Sequence, residues 1–228
     1  LRTSRGLGDV YKRQQSVESA IEDLKIAVDN APTHISWYQL TIEPNTYFYS
    51  YPPNLPEDII LHTIYERGIE VLENNGYSQY EVSAFAQKSK NSSHNCNYWN
   101  FGDYIGIGAG AHGKLTMPID NKLVRSKKLK QPNNYMNKVQ SEVTQLNEIL
   151  IEERAVEFLM NALRLRKGFS RHLFEKRTGI EFGEISEKLT TLIENELIQI
   201  TNINGESFYS ATRTCLLYTS DAADESSS

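Results

Sequence analysis

Along the first 85 residues, hydrophobic positions change from helical spacing to strand spacing and back. Apolar residues recur every three or four positions from Ser16 onward and stop before Pro32, which predicts an amphipathic helix. Residues 34–42 (HISWYQLTI) are rich in β-branched and aromatic side chains, as in a strand buried on both faces of a parallel sheet. A second helix is predicted over residues 56–76, and a second strand over 77–85. The alternation predicts an α/β fold with a parallel sheet or barrel, in which functional residues lie at the C-terminal ends of the strands.

The hydrophobic pattern changes after residue 117. Residues 118–148 are polar and weakly periodic, and we interpret them as a linker. The next stretch, 149–214, predicts a small domain with a helix over 151–168, two helices near 170–177 and 182–197, and a hairpin at Asn204-Gly205. Three helices followed by a hairpin are typical of a winged-helix domain.

The sequence of the two ends of the chain indicates a different origin from that of the rest. Back-translated, residues 5–14 and 215–225 fit the adapter sequences used to prepare sequencing libraries. We therefore expect residues 1–14 and 215–228 to be derived from adapters and exclude them from fold prediction. Cys96 is then the one remaining cysteine, which favours a reducing, cytoplasmic setting.

Charge limits the classes of partner. The formal net charge is −5, and no apolar run approaches the length of about 18 residues that a membrane span needs. Residues 169–214 hold five basic side chains against seven acidic ones, and the phosphate contacts on which DNA binding depends need the opposite balance. The sequence thus argues against nucleic acid as a partner, although a winged-helix binding module remains an alternative from another functional class.

A glycine loop, DYIGIGAGAHG, occupies residues 103–113. Its glycines at 106, 108, 110 and 113 do not form the dinucleotide motif G-x-G-x-x-G, and no helical pattern follows them. They allow positive φ angles and close approach of the backbone to a bulky ligand. A tight turn without any ligand explains them equally well.

Two histidines flank this loop. His94 opens the segment HNCNYW, in which an imidazole stands beside a thiol and two aromatic rings, a set suited to an axial iron ligand. His112 lies within the glycine loop itself. A cluster of five basic residues between Lys122 and Lys130 suits the carboxylates of an anionic ligand, or else a solvated linker.

Four segments in order, HISWYQLTIEPNT, GYSQYEVSAFA, HNCNYW and FGDYIGIGAGAHG, resemble the HemW-type haem chaperones, a family of radical S-adenosylmethionine proteins. That family is related to oxygen-independent coproporphyrinogen III oxidase. The resemblance implies the C-terminal part of a partial (β/α)6 barrel over residues 15–117, with a [4Fe-4S] cluster, S-adenosylmethionine and haem as cofactors. HNCNYW matches the H-N-x-x-Y-W motif of the chaperones, which makes His94 the candidate haem ligand. The remaining positions that it implies, on the S-adenosylmethionine side, are Gln39, Gly106, Gly108, Gly110 and His112.

One departure from the family is decisive for chemistry. The family holds its cluster with three cysteines spaced C-x-x-x-C-x-x-C, and this chain contains no such motif. We therefore expect the chain to be inactive in radical chemistry and assign no catalytic residue and no metal ligand for the cluster. The resemblance implies haem-accepting proteins as partners, with membrane proteins among the acceptors and a homodimer left open. Coproporphyrinogen III oxidase, which decarboxylates porphyrinogen propionates, remains the alternative within the same resemblance.

Overall fold

The computed structural model describes residues 15–40, 42, 44–138, 142–213 and 215–216. Most residues that we attribute to adapters, 1–14 and 217–228, lie outside this described part. The described residues form two compact units, and the division falls between Ser92 and Ser93. Each unit is treated by itself below.

The first unit follows the predicted succession of helices and strands, but its sheet differs from the prediction. Its elements are α1 (Val17–Asp29), β1 (His34–Ser36), α2 (Tyr47–Ser50), α3 (Asp58–Asn74), β2 (Ser78–Glu81) and β3 (Ala84–Ala86). Among these described strands the order is β1-β3-β2, and both pairings are antiparallel. The prediction of neighbouring parallel strands was wrong here because residues 77–85 do not form one strand. The chain turns at residues 82–83, and β3 returns between β1 and β2.

The core of the first unit forms where α1 and α3 cover the sheet. Ser16 caps α1 by accepting a hydrogen bond from the Ser19 amide at 3.3 Å. Leu24 of α1 and Leu72 of α3 are buried with Phe85 of β3. The ring of Trp37 fits against Gly68 of α3, where a Cβ atom would lie 2.1 Å from the indole. The predicted strand over residues 34–42 stops at Ser36, since only its first three residues pair with β3.

The second unit begins with a helix, a loop and a regular sheet. Its first elements are α4 (Ser93–Trp99), β4 (His112–Met117), β5 (Lys122–Lys128), α5 (Pro132–Asn137) and β6 (Thr144–Ile149). The strands pair antiparallel in the order β4-β5-β6. The interpretation of residues 118–148 as a linker was therefore wrong. The polar composition misled it because the charged side chains of β5 meet acids from other parts of the chain, and no local pattern reveals such pairs.

The rest of the second unit is helical with a small sheet. Its elements are α6 (Ile151–Ala162), β7 (Phe169–Ser170), α7 (Arg171–Thr178), α8 (Gly183–Glu194), β8 (Ile198–Ile203) and β9 (Glu206–Ala211). Three helices followed by a hairpin were predicted, and this order is confirmed. The turn at Asn204-Gly205 has φ angles of 53° and 85°, as a two-residue hairpin turn requires. A strand that was not predicted, β7, pairs with β9.

Aromatic rings and the buried side chain of Arg154 connect the two sheets of this unit with its helices. Phe158 of α6 meets the rings of Phe101, Phe169 and Phe174 edge to face, at centroid distances of 5.1 to 6.0 Å. Arg154 of α6 is 4% exposed and donates to three backbone carbonyls, those of Asn121, Ile149 and Thr178. A buried guanidinium needs such partners. The stretch predicted as a linker is thus built into the same core as the helices.

Candidate functional site

The segment HNCNYW forms helix α4, which presents a histidine at one end and aromatic rings at the other. His94 is exposed in the first turn. Tyr98, four residues on and therefore on the same side of the helix, packs against Tyr104 with ring centroids 5.1 Å apart. The guanidinium of Arg164 lies over the ring of Trp99 at 4.4 Å. The aromatic half of the segment is therefore anchored, and the imidazole is left accessible to a ligand.

Asn97, in the middle of the same segment, fixes the path of the chain from α4 into the glycine loop. Its side-chain amide donates to the carbonyl of Asp103 at 2.9 Å, and its own carbonyl accepts from Gly102 at 2.8 Å. A Cβ atom on Gly102 would lie 2.0 Å from the Asn97 side-chain oxygen. The sequence analysis missed Asn97, because the bonding partners of an asparagine side chain are known only when the structure is folded.

The base of the glycine loop is closed by backbone and side-chain bonds. Tyr104 and Lys114 exchange two backbone hydrogen bonds of 2.9 and 3.0 Å. The carboxylate of Asp103 accepts from the Lys114 ammonium at 3.0 Å and from the amide and hydroxyl of Thr116 at 3.0 and 2.8 Å. Lys114 is 1% exposed, and its ammonium lies 4.3 Å from the centre of the Phe101 ring. The loop therefore begins and ends at a fixed clamp.

The protonation of this clamp follows from its surroundings. Partial burial acts to raise the pKa of Asp103, but the bonds from Thr116 and Lys114 outweigh it and hold that pKa below the ordinary value. For Lys114, burial outweighs the attraction of the carboxylate and lowers the pKa. The Asp103 carboxylate accepts two hydrogen bonds from Thr116 in addition to the ion pair with Lys114. At neutral pH its carboxylate is charged.

Within the loop, each glycine has a different reason to lack a side chain. At Gly106 a Cβ atom would lie 2.1 Å from the carbonyl oxygen of His112. Gly108 and Gly110 have φ angles of 104° and 73°, and nothing lies within 4 Å of the Cβ position of Gly108. The loop leads into strand β4 and not into a helix, which agrees with the absence of a dinucleotide motif. The structure therefore combines a close internal contact at Gly106 with open backbone at Gly108.

Apolar side chains of the loop face solvent. Ile105 is 76% exposed and Ile107 is 87% exposed, and His112 at the start of β4 is also exposed. Large apolar side chains on an exposed loop are a feature of binding surfaces. The glycines and His112 thus belong to one loop, which follows helix α4 in the chain.

Gln39 is positioned differently from the loop residues. It lies in the first unit, exposed, in an irregular segment that follows β1. The resemblance assigns it to the same ligand as the loop, and this assignment stays a prediction.

At the start of the loop, the half-buried Tyr104 is hydrogen-bonded to the arginine of an ion pair. Arg125 of β5 forms a two-pronged contact with Glu157 of α6, with Nε lying 3.3 and 3.1 Å from the two carboxylate oxygens. Burial first, and then the neighbouring Tyr98, raise the pKa of Tyr104 to about 12. The hydroxyl of Tyr104 therefore stays protonated at neutral pH and can act as a hydrogen-bond donor.

Neither a metal site nor a membrane helix is found in the part of the chain that the structure describes. Its His, Cys, Asp and Glu side chains form no group of three or more suited to a metal ion. No described helix is both long enough and apolar enough to cross a bilayer. The chain has two cysteines, Cys96 and Cys215. A [4Fe-4S] cluster needs more thiolates than these supply, so the residues present do not fit it.

The comparisons with known proteins first define a structural class. Residues 151–204 match the family model described as the HemN C-terminal domain. The solved structure of coproporphyrinogen III oxidase (HemN) from Escherichia coli, a radical SAM enzyme, is similar with a TM-score of 0.62 at 15% identity. That likeness covers 94% of this chain and 52% of the oxidase chain. The chain therefore has a mixed α/β fold of the HemN type.

Sequence similarity then narrows the class to one family. The chain is 42% identical over 191 residues to "Heme chaperone HemW" of Haemophilus influenzae, which covers 81% of this chain and 47% of that protein. The protein of the same name from Escherichia coli K12 is 46% identical over 166 residues, or 73% of this chain and 43% of the relative. A mouse protein, "Radical S-adenosyl methionine domain-containing protein 1, mitochondrial", is 34% identical over 131 residues, covering 55% of this chain and 30% of that protein. The chain belongs to the HemW-type family and spans about half the length of the curated relatives it matches.

Proposed function

We propose that the parent protein is a haem chaperone that binds haem through His94 and passes it to haem-accepting proteins. The proposal is supported by helix α4, because its aromatic end is packed and its histidine is exposed. An exposed imidazole on an anchored helix is a suitable axial ligand for haem iron. Relatives more than 40% identical carry the name of haem chaperone, whereas the oxidase is similar in fold at 15% identity.

The glycine loop has the properties of a binding surface for S-adenosylmethionine. Open space beside Gly108 lets a bulky ligand approach the backbone, and His112 offers a ring nitrogen at the edge of the loop. The clamp of Asp103 and Lys114 keeps this surface in one shape. Gly106 and Gly110 complete the proposed set within the second unit, and the assignment of Gln39 to the same ligand stays a prediction from the resemblance. When bound, S-adenosylmethionine supplies a sulfonium group for radical or methyl-transfer chemistry.

The cysteines of this chain do not supply the thiolates that a [4Fe-4S] cluster needs. In the finer architecture that we propose, residues 15–117 are the C-terminal part of a partial (β/α)6 barrel, in which β1 and β2 run in the same direction on either side of β3, and residues 149–214 are a winged-helix-like domain. Its acidic balance suits contacts with proteins better than contacts with nucleic acid. A cytoplasmic location, membrane proteins among the haem acceptors and a homodimer stay predictions.

A haem titration of the whole chain tests the proposal. We expect a Soret band shift on adding haemin, with an affinity that falls by about tenfold or more in His94→Ala, because an axial ligand is lost. The matched control is His62→Ala, since His62 is an exposed histidine on helix α3 of the first unit. Equal affinities for His94→Ala and the unaltered chain would remove His94 from the site. Failure of the unaltered chain to bind haem would overturn the proposed function.

A further inference from the structure

The five basic residues between Lys122 and Lys130 have different bonding partners in the folded chain. Lys122 pairs with Glu148 at 3.3 Å, Arg125 pairs with Glu157, and Lys128 donates to the Thr144 hydroxyl at 2.6 Å. Lys127 and Lys130 are both exposed and have no ion pair among the described residues. Three of the five cations thus have no acidic partner among the described residues, and two of these, Lys127 and Lys130, are also exposed.

Lys127 stands in a row that includes His112. In the antiparallel sheet it lies opposite His112 of β4 and opposite Gln145 of β6, so the three side chains point to the same face. All three are exposed. Two residues further along the strands, the same face carries Lys114 and Arg125, whose charges are already paired with acids. On this face of the sheet, the side chains become exposed to solvent at the row of Lys127.

Lys130 lies next to Gly110 of the glycine turn. Gly110 donates to the Leu129 carbonyl at 2.8 Å, and the Cβ position of Gly110 is 3.8 Å from both Cα and Cγ of Lys130. The glycine turn therefore runs between Lys130 and the strand that starts at His112.

The local sequence leaves this positive charge uncompensated. No Asp or Glu occurs over residues 104–119 or 121–141, a span that includes the loop, β4 and β5. The glycine loop also carries two exposed apolar side chains, Ile105 and Ile107. A ligand that suits both features has an apolar body and carboxylate groups at its edge.

We propose that Lys127, opposite His112 in the sheet, and Lys130, beside Gly110, form a carboxylate subsite that binds the propionates of haem. The inference rests on the proposed function and adds a contact for the propionates of haem to the iron contact of His94. The amino-acid end of S-adenosylmethionine is the other source of a carboxylate, but it carries an ammonium group beside that carboxylate. Two lysines favour a dicarboxylate over such a zwitterion, since like charges repel.

The test compares Lys127→Gln/Lys130→Gln with Lys122→Gln/Lys138→Gln in the whole chain. The control pair removes the same charge from lysines that lie beside acids, Glu148 and Glu142. The probes are haemin, haemin dimethyl ester with blocked propionates, and S-adenosylmethionine, after circular dichroism has shown that the variants are folded. For the first variant we expect haemin affinity about fivefold weaker and less dependent on salt, and unchanged affinity for the ester.

The possible outcomes separate this inference from the proposed function. Equal haemin affinity in the two double variants, with His94→Ala still weakened, would overturn the subsite and leave the chaperone proposal standing. A loss of S-adenosylmethionine affinity with haemin affinity unchanged would show that the lysines bind the carboxylate of S-adenosylmethionine and not the propionates of haem. This result would overturn the inference. No binding of haemin by the unaltered chain would overturn both.

Discussion

Two segments that family resemblance assigns to one ligand are held in very different ways. The glycine loop between Asp103 and Lys114 is closed by two backbone bonds, an ion pair and two bonds from Thr116. The segment of Gln39 leaves the sheet after Trp37, whose amide donates to the Ser83 carbonyl. Gln39, which comes two residues after Trp37, forms no hydrogen bond with any described residue. The loop thus offers a ligand a prepared shape, whereas the Gln39 segment loses conformational entropy when a ligand orders it.

The largest expected effect comes from Gly106→Ala. The added methyl group would meet the His112 carbonyl oxygen at 2.1 Å, and backbone cannot move aside as a side chain can. We expect the second unit to lose about 3 kcal/mol of unfolding free energy. Urea unfolding can be followed by Trp99 fluorescence in a Trp37→Phe background, since the chain has two tryptophans.

Gly108→Ala is the matched control for that substitution. Its Cβ position is open, so only the φ angle of 104° opposes alanine. A loss of about 1 kcal/mol is expected. Equal losses at the two positions would mean that the contact with His112 does not shape the loop.

Lys114→Met tests the clamp itself. Methionine can occupy the buried space over Phe101, but the Asp103 carboxylate loses its cation. We expect a loss of about 2 kcal/mol, below that of a fully buried pair because Asp103 is partly exposed. Lys122→Met, at an exposed position of the same sheet, should change stability by less than about 0.5 kcal/mol in the same assay. If the two variants are equally stable, the ion pair does not hold the loop.

Asp103→Asn gives the clamp a pH signature. The folded-state pKa of Asp103 is lowered, so its contribution is present above the unfolded-state value near 3.8 and is lost as pH falls through the folded-state value. At neutral pH we expect the variant to be about 1 kcal/mol less stable than the unaltered chain. This difference should shrink as urea unfolding is repeated at lower pH. A difference that stays constant down to about pH 2 would exclude the charged clamp as its cause.

The smallest effect is expected for Gln39→Ala. Because Gln39 is exposed and unbonded within the described residues, stability of the first unit should change by less than about 0.5 kcal/mol. Trp37 fluorescence in a Trp99→Phe background measures it. Gly68→Ala, where a Cβ atom would lie 2.1 Å from the Trp37 ring, serves as the sensitive control and should cost about 2 kcal/mol. A large loss for Gln39→Ala would show that its segment is as well anchored as the loop.

The backbone of the glycine loop could be predicted in part from the sequence because its signals are local. The glycines at 106, 108 and 110 mark places where a side chain is excluded or φ is positive, and the structure gives a reason for each. The exposed position of His94 was not predictable, and neither was the part of Asn97 in holding the loop. Both depend on contacts between α4 and residues that follow it in the chain.

By itself, the sequence determined the helices α1, α3, α6, α7 and α8, the hairpin at Asn204-Gly205 and the family, because capping residues, helical spacing and turn residues act over a few positions. Only the tertiary structure decided that β3 returns between β1 and β2, and that residues 118–148 form a sheet. It also decided which lysines are neutralised. Lys114 is buried against Asp103 while Lys127 stays exposed, although both are lysines in neighbouring strands. The reason is physical: burying a charge depends on a partner brought close by folding, and local composition does not contain that partner.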